Sequence, residues 1–357
     1  MMMRMVKKAS GALGMMVLGG LLWSACNQDP IFYSISLEVE PVDPRIVGRP
    51  TAMVYFDGAL YATSIFSKTI HRYYDGSWEN LSETPGSAIL ALAATTTRLY
   101  ALAGEPGAAQ LYYATNLRGS KPLWKDVAST PGYSNIQSIY GAGDQLFVGA
   151  MLDADTFAML YVQNDNLTLL EGGKGFLRGA AYTGDAYYLA GEGLYILEGK
   201  NLSPVPSAEG YIFSGLIALE DKTLVGVSGK TLVTVSPEGN LGKKDMGVTF
   251  TGALALWGAE PEEKKLLLLG IQGASTSTTH GYRELLLNAE GGLDAALSIR
   301  IPGKEALSSV SDYEKYNSSI GKHPAIALMQ APDGILFAGT TKNGLWSYRD
   351  EQWNAEP

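Results

Sequence analysis

The sequence predicts an all-β protein: a single seven-bladed β-propeller of four-stranded antiparallel blades over residues 51–357, with six or eight blades as the alternative counts. Three observations predict it. A turn-and-strand motif recurs along the chain at a spacing near that of a propeller blade. Each copy sits in a unit with room for four short strands. The 357 residues include 42 glycines and 20 tyrosines, which suit turns and pleated, half-buried surfaces. With 46% apolar and 18% charged residues the chain is not a disordered tail, and a single cysteine excludes a disulfide scaffold.

The motif is a turn containing Gly or Asp, then Leu or Tyr, an aromatic or aliphatic residue, and a small residue. Its copies are Asp57-Gly58-Ala59-Leu60-Tyr61-Ala62, Thr97-Arg98-Leu99-Tyr100-Ala101, Gly143-Asp144-Gln145-Leu146-Phe147-Val148-Gly149 and Gly184-Asp185-Ala186-Tyr187-Tyr188-Leu189-Ala190-Gly191. Three more follow, at Asp221-Lys222-Thr223-Leu224-Val225-Gly226, Lys265-Leu266-Leu267-Leu268-Leu269-Gly270 and Asp333-Gly334-Ile335-Leu336-Phe337-Ala338-Gly339. In the first unit Met53-Val54-Tyr55 precedes the turn, Ile70 to Tyr74 follows, and Asp75-Gly76 turns into a last strand at Ser77-Trp78. The seventh repeats that order with Ala325 to Met329, Gly344 to Tyr348 and Glu351 to Asn354. Dividing residues 51–354 by seven gives about 43 residues per unit, the size of a blade that buries its faces only by stacking in a ring.

The small Ala or Gly that ends the second strand fits a position near the axis, where backbones converge. Tyr73, Tyr112, Trp124, Tyr161, Tyr195, Trp346 and Trp353 fall in the third and fourth strands, where wider gaps between sheets take large rings. They are read as core, with a carbohydrate-stacking platform as the other reading. Ile335 to Tyr348, and Leu111-Tyr112-Tyr113-Ala114-Thr115 with Trp124-Lys125-Asp126-Val127, resemble the BNR-like and two-component-regulator-type propeller repeats of bacterial exported proteins. That resemblance implies an exported propeller and carries no catalytic residue.

The N-terminus has the three zones of an export signal over residues 1–25: basic Arg4, Lys7 and Lys8, an apolar stretch from Gly11 to Leu22, then Trp23-Ser24-Ala25 before Cys26. The stretch is shorter than the ~20 residues a membrane-crossing helix needs. Ser24-Ala25-Cys26 resembles the bacterial lipobox, which implies cleavage before Cys26 and diacylglyceryl attachment to its thiol. The membrane is then the first expected partner, reached through lipidated Cys26, and the absence of Asp after Cys26 favours the outer membrane over the inner. Residues 26–50 form a tether with one expected strand, Ser34 to Glu40, where apolar and polar residues alternate. Losing the three basic residues makes the formal net charge of −9 more negative still, which argues against nucleic acid as a partner.

No catalytic constellation is legible, so no enzyme activity, cofactor or metal is expected. His71, His280 and His323 are dispersed, and no Gly-x-Ser-x-Gly elbow occurs. Arg300-Ile301-Pro302 matches an element of sialidase propellers, but without the paired acid, tyrosine nucleophile and further arginines it is read as chance. Asp153 and Asp155 are read as solvated loop acids rather than a cation site.

Binding is therefore expected of the loops. With strands A to D running outward, the D-to-A and B-to-C loops share one face of the ring. The two longest irregular stretches are Gln272 to Arg283 and Arg300 to Pro324, both of that class. His280 and Tyr282 in the first, and Tyr313, Lys315, Tyr316 and His323 in the second, are the candidate binding-face residues. The expected function is a non-catalytic protein-binding or scaffolding propeller holding another envelope protein or a glycan. Capture of a small ligand in the central channel is the alternative, and a hydrolase of envelope glycans ranks below both.

Overall fold

The computed structural model describes residues 46 and 48–356, apart from 82, 87, 118–121, 129–134, 154–155, 259–265, 273–280, 294–298, 301–305, 308–319, 321–322, 342 and 350–351. Cys26 and the strand expected over 34–40 lie outside the described residues.

Short-range chemistry builds each blade. In blade 1, strands Pro50–Phe56 and Ala59–Ser64 are joined by Asp57-Gly58, and strands His71–Tyr74 and Ser77–Asn80 by Asp75-Gly76. All four turn residues have positive φ, from 47° to 81°, as two-residue hairpins require for their twist to match that of the strands. Each later blade repeats the meander. The described residues form seven antiparallel sheets whose strand order follows chain order, spanning 50–80, 89–126, 136–169, 179–204, 215–245, 250–307 and 325–355. Six have four strands. The sixth has a fifth, Ala306–Leu307, paired outside Ile299–Arg300.

The first strands of successive blades pack against one another, and Ala325–Gln330 of the last blade packs against Pro50–Phe56 of the first, so the ring closes about seven inner strands. The second strands are among the most deeply buried: every residue of Ala59–Ser64, Leu99–Ala103 and Leu266–Ile271 is buried. The small residue that ends this strand lets the chain entering the same or the adjoining blade pass close by. A Cβ on Gly339 would sit 2.4 Å from the Pro50 carbonyl oxygen, and one on Gly149 would sit 2.5 Å from Ser138 Oγ.

The aromatics of the outer strands fill seams. Tyr73, Trp78 and Phe337 pack with centroids 4.8 to 5.2 Å apart between blades 1 and 7. Tyr282 and Tyr348 each pack on Trp353, with ring centroids 5.4 and 5.5 Å away, between blades 6 and 7. Acids on the turns of the opposite face add ties between blades: Tyr73 donates to Asp333 at 2.6 Å, Tyr113 to Asp165 at 2.9 Å, and Tyr187 donates to Asp144. Arg98 pairs with Asp165, and holds its carboxyl below the usual carboxylate range.

Candidate binding sites: the loop face and the axial channel

The face that gathers the D-to-A and B-to-C loops exposes large apolar side chains from three blades. Phe66 lies between the second and third strands of blade 1, Leu152 in the matching loop of blade 3, and Ile212 in the passage from blade 4 to blade 5; they are 56%, 44% and 57% exposed. Phe66 stands apart because its φ is 62°, a left-handed conformation that a bulky residue rarely adopts. Backbone bonds on both sides fix it there: Phe66 N donates to Ile89 O at 3.0 Å, Ile65 N to Arg49 O at 3.1 Å and Ser67 N to Ser64 O at 3.0 Å. The chain holds an exposed phenyl ring outward in a conformation that costs of order 1–3 kcal/mol.

Among the residues expected on this face, His323 borders it. It is half-buried, and its Nε2 accepts from the Asn343 side-chain amide at 2.6 Å. His280, Tyr313, Lys315 and Tyr316 lie outside the described residues. Tyr282 does not belong to the loop. It opens strand Tyr282–Leu286 and is 1% exposed. Its hydroxyl donates to Glu284 Oε1 at 3.2 Å and accepts from Trp353 Nε1 at 3.1 Å, so a seam between blades has claimed the ring that the sequence placed on the surface. The physical reason is register: Gly270 pairs with Tyr282, and the strand begins two residues earlier than the loop read from the sequence, Gln272 to Arg283, allows.

The inner strands enclose the second site. Five of them, Pro50–Phe56, Ile89–Ala94, Ile136–Ala142, Phe250–Trp257 and Ala325–Gln330, line an axial cavity of about 590 Å³ together with Phe176. That volume falls in the range of small-molecule sites, ~300–1,000 Å³. The wall is chiefly apolar, from Val54, Leu90, Ile139, Ile326 and Met329. A few polar groups interrupt it. Ser138 Oγ is occupied, donating to Leu177 O at 2.9 Å. Thr51 Oγ1 is buried with no hydrogen-bond partner among the described residues. Burial pushes the Tyr140 phenol up to about 12, while the nearby Arg178 charge acts in the opposite sense. Arg178, just before strand Gly179–Tyr182, lies over the Phe176 ring at 5.4 Å from its centroid.

None of these channel residues stands out in the sequence. Val54, Tyr140 and Ile326 sit in ordinary strands of three different blades, and only closure of the ring brings them to one cavity. The described residues contain no group of three or more His, Cys, Asp or Glu placed to hold a metal ion.

No family model matches the chain, and no curated protein does. Solved structures match it in architecture. A streptogramin B lyase superposes with a TM-score of 0.55 at 11% identity, over 85% of this chain and 93% of that one. YCF48 bound to a D1 peptide gives 0.55 at 12% identity, over 90% and 98%. The extracellular domain of a hybrid two component system, BT4673 from B. thetaiotaomicron, gives 0.52 at 14% identity, over 85% of this chain and 38% of that one. At such identities the likeness is one of fold: the chain is a seven-bladed β-propeller, an architecture that those proteins use for different ends.

Proposed function

We propose that this protein is a non-catalytic binding propeller, held on the outer membrane by lipid on Cys26, whose loop face docks another envelope protein. The observation that carries this reading is Phe66, exposed and fixed at positive φ by its neighbours' backbone bonds. Strain in a folded chain persists only where the surroundings over-determine it, and it clusters where a surface is used. Leu152 and Ile212 widen the apolar area on the same face, and apolar anchors inside a polar rim are the usual core of a protein interface. The blades themselves are committed to mutual packing, which leaves recognition to the loops. YCF48, one of the similar folds, was solved with a peptide bound.

Site-specific photocrosslinking in intact cells tests the docking face. A benzophenone amino acid at position 66, 152 or 212 is expected to give one discrete protein adduct in common, and a probe at Asp75 on the opposite face is expected not to give it. Absence of any shared adduct overturns the docking reading. Fractionation of the Cys26→Ser variant tests the anchor, which fails if that variant stays in the membrane pellet.

A second reading, capture of a small molecule in the axial channel, is favoured by the apolar cavity of about 590 Å³ with its few polar groups.

A further inference from the structure

We propose that the axial channel takes an uncharged small molecule with an apolar body and a hydrogen-bond acceptor of the ketone, ester or ether kind, the acceptor meeting the Tyr140 hydroxyl and the body lying among Leu90, Ile139 and Ile326. The proposal rests on the small-molecule reading of the channel and names its ligand class.

The lack of charge on the wall carries the first half of the argument. The described residues that line the cavity include no Asp, Glu, Lys, Arg or His. Arg178 is exposed and stands outside that lining. An ion drawn into this space would give up its water with no counter-charge to replace it, at a large desolvation cost. An uncharged body meets no such cost, and burying its apolar surface against Leu90, Ile139 and Ile326 is favourable.

Tyr140 carries the second half. Its ring packs against the core between blades 3 and 4 while lining the cavity. Its hydroxyl makes no hydrogen bond among the described residues. Other tyrosines of the ring are engaged: Tyr73, Tyr113 and Tyr187 donate to carboxylates, and Tyr182 and Tyr195 to backbone carbonyls. Burial keeps the Tyr140 phenol protonated at neutral pH, so it has a proton to donate. Ser138 Oγ, on the same wall, already donates to Leu177 O. Tyr140 is thus a donor that the fold leaves unused in apolar surroundings, where an acceptor arriving on an apolar ligand completes it.

The test uses the full chain and four probes of one shape in equilibrium dialysis: 2-acetylnaphthalene, its hydrocarbon counterpart 2-ethylnaphthalene, anionic 2-naphthoate and cationic trimethyl(2-naphthyl)ammonium. The ketone is expected to bind about fivefold more tightly than the hydrocarbon, the size of one hydrogen bond, and more tightly than either ion. Tyr140→Phe is expected to bring the ketone down to the hydrocarbon's affinity while leaving the hydrocarbon unchanged. Ala91→Phe, which fills the channel, is expected to abolish binding of both, with its thermal transition confirming that it folds; Ala253→Leu, from blade 6, replaces it if it does not. If ketone and hydrocarbon bind alike and Tyr140→Phe changes neither, the channel is a small-molecule site and the acceptor proposal falls. A charged probe that binds more tightly than the ketone overturns the uncharged ligand class. If none of the four binds, the proposal and the small-molecule reading fall together.

Discussion

The seam between blades 7 and 1 and the seam between blades 5 and 6 meet the same packing problem with different side chains. Blades 5 and 6 are joined through the chain and meet through aliphatic groups: Val225, Val227, Leu232, Leu267, Leu269 and Leu285 are buried together. Blades 7 and 1 have no chain between them. There Tyr73, Trp78 and Phe337 meet edge to face or tilted, Tyr73 donates to Asp333, and Arg349 stands 6.0 Å from the Tyr73 and Phe337 centroids while pairing with Glu356 at 3.1 Å. Aliphatic contact is non-directional, whereas aromatic edges and hydrogen bonds have preferred geometries. The closing seam thus relies on directional contacts, as the chain-linked seam between blades 6 and 7 also does, whereas the seam between blades 5 and 6 is mainly aliphatic.

The largest expected effect comes from Phe337→Ala, which opens a cavity at the closing seam and costs about 3–5 kcal/mol in a denaturant titration. Leu267→Ala, at the aliphatic seam, is expected to cost about 2–5 kcal/mol. The comparison sharpens in a second readout: Phe337→Ala should raise proteolysis within blades 1 and 7 first, and Leu267→Ala should not. Equal, ring-wide cleavage in both variants would break it. Gly339→Ala is next, because the added methyl meets the Pro50 carbonyl oxygen of the adjoining blade at 2.4 Å; overpacking of this kind costs about 1–3 kcal/mol.

A smaller and pH-dependent effect belongs to the tyrosines. Desolvation, then the bond to Asp144, raise the Tyr187 phenol to about 12, and desolvation, then the bond to Asp333, raise that of Tyr73. A phenol whose folded pKa lies above its unfolded value contributes stability that is complete below about pH 10 and is lost as pH rises through the folded pKa. Unfolding free energy should therefore fall between about pH 10 and 12, and Tyr187→Phe should flatten part of that fall. An unchanged profile in this variant would remove Tyr187 from the account. The smallest effect is expected of Lys222→Ala. Its ion pair with Asp185 has side chains 50% and 71% exposed, and the change should stay within about 0.5 kcal/mol in the same titration.

Much of the fold is legible in the sequence because it is local. Asp57-Gly58 and Asp75-Gly76 demand hairpins whatever surrounds them, and the seven copies of the motif count the blades. The strand nearest the axis is less legible. The small residues ending the second strand point inward, yet the innermost strand is the first of each blade, and the second is the one most deeply enclosed. The candidate sites are least legible, since they arise from closure. Tyr282 looks like a loop residue until its pairing with Gly270 places it in a strand. Phe66 carries no glycine or asparagine signature for its positive φ, which is imposed by bonds to Arg49 and Ile89 and the turn back to Ser64. Val54, Tyr140 and Ile326 come to share one cavity only when separate inner strands meet around the axis.

Among the described residues blades 1 and 7 are each complete and exchange no strand across the closing seam. A ring joined this way is modular in its mechanics. Duplicating or deleting one whole unit of chain leaves every remaining sheet intact and asks the closing surfaces only to meet at a new angle. The unit boundaries are thus natural points for circular permutation: linking the ends and reopening the chain between blades 5 and 6 would move the unlinked seam from its aromatic contacts to aliphatic ones.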